Sequence, residues 1–288
     1  MTVPPSPVVA SWELALRLKQ RRNELNISVE TVTKALGFTR NYWSAVENER
    51  KLLSSEALKR VLDLFRFEAH EKAELRALRA AARERGWWSA YSALFDADIQ
   101  RLFGLEHGAR AIRDYESLLI PGLLQTADYI RAIMMPAVTL PQVEVDQRVE
   151  ARLHRQARLA DPNDSFTLTA VISEAALRQQ IGGRNVLRQQ LMHLAELIES
   201  HERKLDVRVI PFTATECGLF GAATVHLIEF ENPQLPTLAW QESVTAWGVI
   251  NDPIQVRDIT TTYEEAYRTT AAPRNQTLQI IRDHIREL

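Results

Sequence analysis

The 288 residues hold 35 Lys and Arg against 37 Asp and Glu, 45% hydrophobic side chains, and only 10 Gly and 12 Pro; this is a globular composition, long enough for two domains with a buried core. No apolar run reaches the roughly 18–20 residues of a membrane span, Met1–Ser11 lacks the basic and apolar regions of a secretory signal, and a single cysteine, Cys217, excludes intramolecular disulfides and all-cysteine metal sites and fits a reducing cytoplasm. Charge is uneven: residues 1–85 carry 16 basic against 11 acidic side chains and residues 86–288 carry 19 against 26, so a basic module that suits phosphates precedes an acidic body.

Three prolines within the first seven residues predict a disordered lead-in over 1–11. Trp12–Leu25 reads as a helix with a basic outer face. Ser28 is the N-cap of a short helix over Val29–Leu36, and Gly37 stops it. Thr39 caps a third helix over Arg40–Asn48, a fourth runs from Ser54 or Ser55 to about Phe65, and a fifth covers about His70–Arg85. The domain joint is placed at Gly86-Trp87-Trp88, which gives domains of 12–85 and 86–288. Beyond it, helices are predicted over 96–112, 122–134, 143–159, 174–180, 185–202, 255–270 and 275–288. Phe166–Ile172, Leu205–Pro211, Ala223–Phe230 and Leu238–Glu242 alternate or are β-branched and read as strands. The fold class is α+β, mainly α: a five-helix amino-terminal domain, then a mixed α/β domain with a small sheet of three to five strands.

Residues 27–50 carry the functional argument. Val32, Leu36, Phe38, Trp43 and Val46 converge on one small core when two short helices meet at the Gly37 turn. Arg40, Asn41, Ser44, Ala45 and Asn48 then lie on the outside of the third helix, a shape that fits the major groove. The segment resembles the helix-turn-helix of the xenobiotic-response-element and phage-repressor family. The resemblance implies that Thr39 opens the recognition helix and that Arg40 and Asn41 reach bases, Arg favouring guanine and Asn adenine. It implies phosphate contacts from Ser28, Tyr42, Ser44, Asn48 and Arg50, with Arg17 and Arg21 adding contacts from the first helix. Val29 stands where many members carry Gln, and Ala45 where a long polar side chain often reads a base. Direct readout is therefore thin, and shape readout makes up the difference.

Further segments extend the likeness: Ala82–Trp88, Leu119–Thr126 with Tyr129, Ile172–Arg178 and Val209–Phe212. They resemble the signature segments of an actinobacterial family that pairs this helix-turn-helix with an antitoxin-like carboxy-terminal domain, often encoded beside a small acidic partner protein. The resemblance implies a transcriptional regulator, cytoplasmic and nucleoid-associated. Double-stranded DNA, a second copy of the chain, an acidic partner protein and a small-molecule effector are the partners considered. Two readings follow: a dimeric, sequence-specific regulator with an effector or partner domain, or an interaction module that sequesters a partner and binds DNA secondarily.

An enzyme is not expected, nor a cofactor or a metal. His70-Glu71 and His201-Glu202 are not followed by His at zincin spacing, and no Gly-x-Ser-x-Gly elbow occurs. His154, His193, His226 and His284 form no local ligand pattern and read as surface or satisfied histidines. Pro121–Thr126 reads as a proline turn leading into an amphipathic helix, with a ligand loop as the alternative, and Gly182-Gly183 as a plain turn between helices. Tyr115, Trp240, Trp247 and Tyr263 read as core aromatics, with a pocket lining as the alternative, and Cys217 as an inert thiol.

Overall fold

A computed structural model describes residues 5–134, 141–243 and 246–288. The chain divides into two compact units, one running to Ser89 and the other from Ala90 to Leu288.

The amino-terminal unit is five helices: α1 (Pro7–Glu24), α2 (Val29–Leu36), α3 (Arg40–Glu47), α4 (Ser55–Leu64) and α5 (Ala69–Ala81). Helix α1 starts inside the expected lead-in, a correction for residues 7–11; residues 1–4 lie outside the described residues. Ser6 caps α1 by accepting from the Val9 amide, and Pro7 sits in the first turn, where its missing N–H costs nothing. Helix α5 stops at Ala81, ahead of the expected end at Arg85. The core is closed by Leu18, Val32, Trp43, Leu58, Val61, Leu62, Phe65 and Leu75, all without exposed surface. Trp43 is its centre, edge-on to Phe65 with centroids 5.8 Å apart and stacked on Phe38 at 6.3 Å.

The carboxy-terminal unit is a six-stranded sheet with helices. In chain order it runs α6 (Ala97–His107), β1 (Ala111–Glu116), α7 (Ala127–Met134), α8 (Gln142–Ala160), β2 (Thr167–Ser173), α9 (Glu174–Arg178), α10 (Arg184–Ser200), β3 (Leu205–Ile210), β4 (Thr224–Glu229), β5 (Leu238–Glu242), β6 (Trp247–Ile250), α11 (Pro253–Glu265), a π-helical turn (Ala266–Thr270) and α12 (Arg274–Glu287). The sheet order is β3-β2-β1-β4-β5-β6. The first three strands are parallel, and β4, β5 and β6 add antiparallel on the other side of β1. The exposed edge of β3 is closed by the carboxy-terminal segment: the Ala272 amide donates to the Val209 carbonyl, and the Val209 amide donates to Thr277 Oγ1 at 3.0 Å.

The predicted sheet of three to five strands is thus corrected to six. Strand β1 overlaps the segment predicted as a 96–112 helix. Its sequence, AIRDYE, puts Asp114 and Glu116 where a buried strand ordinarily shows apolar residues, so the alternation is hidden. Strand β6 has four residues and includes a glycine. The predicted 122–134 helix breaks into a single 3₁₀ turn, Gly122–Leu124, and α7.

The two faces of the sheet differ. Tyr115, Val225, Leu227 and Ala239 point to one side and pack against Val256, Tyr263 and Ala266 of α11 and the π-helical turn. On the other side, Asp114, Glu116, Thr224, His226, Trp240 and Glu242 share a face, because residues two apart on a strand and residues opposite in register point the same way.

Candidate nucleic-acid interface and a polar cavity

Local capping sets the helix-turn-helix. Ser28 Oγ accepts from the Thr31 amide at 3.0 Å and Thr39 Oγ1 from the Tyr42 amide at 3.1 Å, so α2 and α3 both start on a side-chain cap. Between them Gly37 takes a left-handed φ of +73°, which L side chains resist. Arg60 closes the end of α2 by donating to the Leu36 carbonyl at 3.0 Å. Arg22 on α1 pairs with Glu47 on α3 at 2.5 Å, with both side chains largely buried, and so fixes the far end of the recognition helix.

This frame turns one stripe of α3 outward. Arg40, Asn41 and Ser44 are exposed, as are the caps Thr39 and Asn48; Ala45 and Tyr42 are half-buried, and Trp43 and Val46 are inside. Arg40 and Asn41 have no hydrogen-bond or ion-pair partner among the described residues. Ser28 and Arg50 are exposed as well. Asn48 donates from Nδ2 to the Ser44 carbonyl at 2.7 Å, and Lys51 Nζ lies 5.1 Å from the Tyr42 ring centroid. Lys51 had no place in the sequence reading. Arg17 and Arg21 are placed differently from the rest. Arg17 donates to Glu74 at 3.0 Å with only 14% of its side chain exposed. Arg21 donates to the carbonyls of Phe65 and Arg66, both at 3.1 Å, and sits over the Phe67 ring. Both guanidinium groups are engaged within the unit, Arg17 with α5 and Arg21 with the turn after α4.

The carboxy-terminal unit holds a cavity of about 850 Å³ at the carboxyl end of β1, next to the start of β4. There β1 is flanked by the parallel β2 on one side and the antiparallel β4 on the other. Helix α6 contributes Ile99, Leu102 and Phe103 to one wall, and α8 contributes Arg148, Arg152 and Arg155, spaced i, i+4 and i+7 on one helix face. Leu118, Leu119, Gly122, Gln125 and Trp247 complete much of the lining. In the Pro121–Thr126 segment Leu123 and Leu124 are core, while Gly122 and Gln125 line the cavity. Among the four aromatics, Tyr115, Trp240 and Tyr263 are buried core and Trp247 lines the cavity.

Charges around this cavity are arranged unequally. Arg155 is fully committed to Glu106, with both nitrogen–oxygen distances at 2.7 Å. Arg158, one turn on, closes the end of α6 by donating to the carbonyls of Glu106, His107 and Ala109 while paired with Asp164. Among the described residues, the one hydrogen-bond partner of Arg152 is Gln125 Oε1, at 3.3 Å. Burial, with Arg155 close by, pulls Arg152 down to about 10. Glu116 accepts from Thr224 Oγ1 at 2.7 Å, yet burial lifts it to about 7. Asp114 is raised well above the carboxylate range, by burial first and then by the neighbouring Glu116 and Glu106.

Asp114, Glu116 and His226 are the group the sequence reading missed. One potential ligand atom from each lies within 4.8 Å of the others, and all three residues are buried. Both Asp114 carboxylate oxygens and His226 Nδ1 lack a hydrogen-bond partner; His226 Nδ1 and Asp114 Oδ1 are 3.4 Å apart but out of hydrogen-bonding alignment. His226 is therefore neither a surface nor a satisfied histidine, and burial brings it down to about 4. The reading holds for His284, which is buried against Glu174 at 3.1 Å. The signal available in sequence was the pair Asp114-x-Glu116, two acids on one face of a strand; it is visible only once β1 is recognised as a strand.

Residues 99–283 match a family described as a domain of unknown function (DUF5753), and residues 13–75 match a helix-turn-helix domain. No curated protein and no solved structure matches the chain.

Proposed function

We propose, for a chain that belongs to the DUF5753 family and carries a helix-turn-helix domain at its amino end, that it is a sequence-specific DNA-binding transcriptional regulator rather than an enzyme. The observation that carries this reading is the outward stripe of α3. Arg40 and Asn41 stand unpaired at the amino-terminal end of a capped helix whose other face is locked by Trp43, which is the presentation needed to reach base edges in a major groove. Ser28, Tyr42, Ser44, Asn48 and Arg50 surround it as phosphate contacts. The protein acts in the cytoplasm as a homodimer, because a single recognition helix of this size binds weakly and two half-sites roughly 34 Å apart give both affinity and register.

The carboxy-terminal unit supplies the regulatory input by taking a small molecule. Its cavity of about 850 Å³ lies in the usual range for ligand sites, about 300–1,000 Å³. Apolar walls and a buried Arg152 that has no carboxylate within ion-pair distance among the described residues favour a ligand with an apolar body and an anionic group. A concave site of this kind favours a small effector over a protein partner.

The test is selection of DNA fragments by the purified full-length chain at physiological salt. Enrichment of one short palindrome is the expected result. Enrichment without dyad symmetry overturns the dimer, and binding without sequence preference overturns the regulator reading.

A further inference from the structure

At and just beneath the floor of the cavity lie Asp114 and His226, with polar atoms that find no hydrogen-bond partner among the described residues. Asp114 and His226 are opposite one another in the β1–β4 register, and Glu116 is two residues along the same face. Asp114 is 1% exposed, His226 6% and Glu116 7%, and His226 and Glu116 line the cavity. A buried carboxylate with two unpartnered oxygens beside a histidine with an unpartnered ring nitrogen is an expensive arrangement unless something bonds to it. Arg155, whose charge acts on Asp114, is already paired with Glu106.

We infer that Asp114, Glu116 and His226 form a binding site for one divalent transition-metal ion, with its open coordination positions turned to the cavity. The donor set is one imidazole and two carboxylates. That mixture suits the class of Mn²⁺, Fe²⁺, Co²⁺ and Zn²⁺, whereas Ca²⁺ and Mg²⁺ prefer all-oxygen sites. The spacing also fits. Bonds of roughly 2.0–2.2 Å at angles of about 90–120° put donor atoms on one ion about 2.8–3.8 Å apart; His226 Nδ1 and Asp114 Oδ1 are already 3.4 Å apart, and the remaining donor, within 4.8 Å, comes into range with a side-chain adjustment of up to about an ångström. The hydrogen bond from Thr224 to Glu116 is the outer contact that orients a ligating carboxylate. Three protein ligands leave positions for water or for an oxygen of a bound molecule, and Arg152 stands in the same cavity to balance an anionic one. The site rests on the cavity floor alone and does not depend on the DNA-binding reading, so its test contains no DNA.

Full-length protein stripped with a chelator would be titrated calorimetrically with Mn²⁺, Co²⁺ and Zn²⁺. One ion per chain is expected, with a visible absorption band on Co²⁺ binding. Loss of an outer-shell contact typically costs 10–100-fold in metal affinity, so His226→Gln and Asp114→Asn, which remove ligands, should weaken binding by roughly 100-fold or more. His70→Gln, at an exposed position of the other unit, should leave it unchanged. A chain that binds none of the three ions, or binds them equally well in all variants, overturns the proposal. Should the variants misfold, the wild-type protein still decides: substoichiometric Mn²⁺ must broaden the Trp240 indole resonance, since Trp240 lies opposite His226 in the sheet, and broadening confined to other residues overturns the site.

Discussion

The outward stripe of α3 and the cavity face of β1 and β4 are both rows of polar side chains, but they stand in opposite relations to water. On α3, Arg40, Asn41 and Ser44 are exposed, so solvent satisfies their donors and acceptors and their presence costs the fold little. On the sheet, Asp114 and His226 are buried with unpartnered atoms, so the fold carries an uncompensated desolvation cost. The first surface is free to be polar, while the second is polar against its own stability. A row of the second kind signals a ligand more strongly than one of the first, because no packing argument explains it.

Five substitutions separate the two regions. The largest effect is expected inside the amino-terminal unit. Trp43→Ala removes a side chain with no exposed surface and two aromatic contacts, and should destabilise that unit by about 3–5 kcal/mol in urea denaturation; a loss under about 1 kcal/mol would mean that Trp43 does not organise the helix-turn-helix. On the sheet the sign reverses. Asp114→Leu, measured in chelator, should stabilise the carboxy-terminal unit by about 1–3 kcal/mol, because it replaces unsatisfied buried oxygens with an apolar side chain. Destabilisation would show that Asp114 is already satisfied and would collapse the contrast between the two faces.

On α3 the effect should fall on binding and spare stability. Arg40→Ala should cost about 1–3 kcal/mol on the selected operator and relax one base pair. Arg50→Ala should weaken operator and random DNA alike and lower the salt slope by roughly one. Equal behaviour of the two variants in salt-dependent fluorescence anisotropy would cancel their assigned roles. The smallest effect is at Arg17. With its guanidinium held by Glu74, Arg17→Ala should leave the salt slope unchanged, and a drop of roughly one would restore it to the phosphate set.

The two regions were also unequally legible. Residues 27–50 could be read because caps, glycine turn and apolar positions all lie within one short segment, where local rules suffice. Arg17 and Arg21 show the limit of those rules: their basic character is local, but Glu74 comes from α5 and the Phe65 and Arg66 carbonyls that engage Arg21 come from the turn after α4. The cavity could not be read because its groups arrive from α6, β1, α8 and β4, and no local spacing connects Glu106, Asp114, Arg152 and His226. The strand that would have revealed them was masked by its own buried acids. Beyond β1 the pattern was plainer: β2 to β5 were each foreseen within a residue or two, since their alternation is apolar throughout the interior.

The register of β1 makes this architecture sensitive to counting. Asp114 and Glu116 lie on the cavity side of the sheet while Tyr115 packs with Tyr263 and Val256 on the other; a slip of one residue exchanges the two sets, driving acids into an aromatic core and a tyrosine to the polar side. A point change in β1 touches one face, whereas a one-residue insertion or deletion inverts both together. The strand can therefore vary its letters but not its parity, and its length is a stricter constraint on the molecule than the identity of any single residue in it.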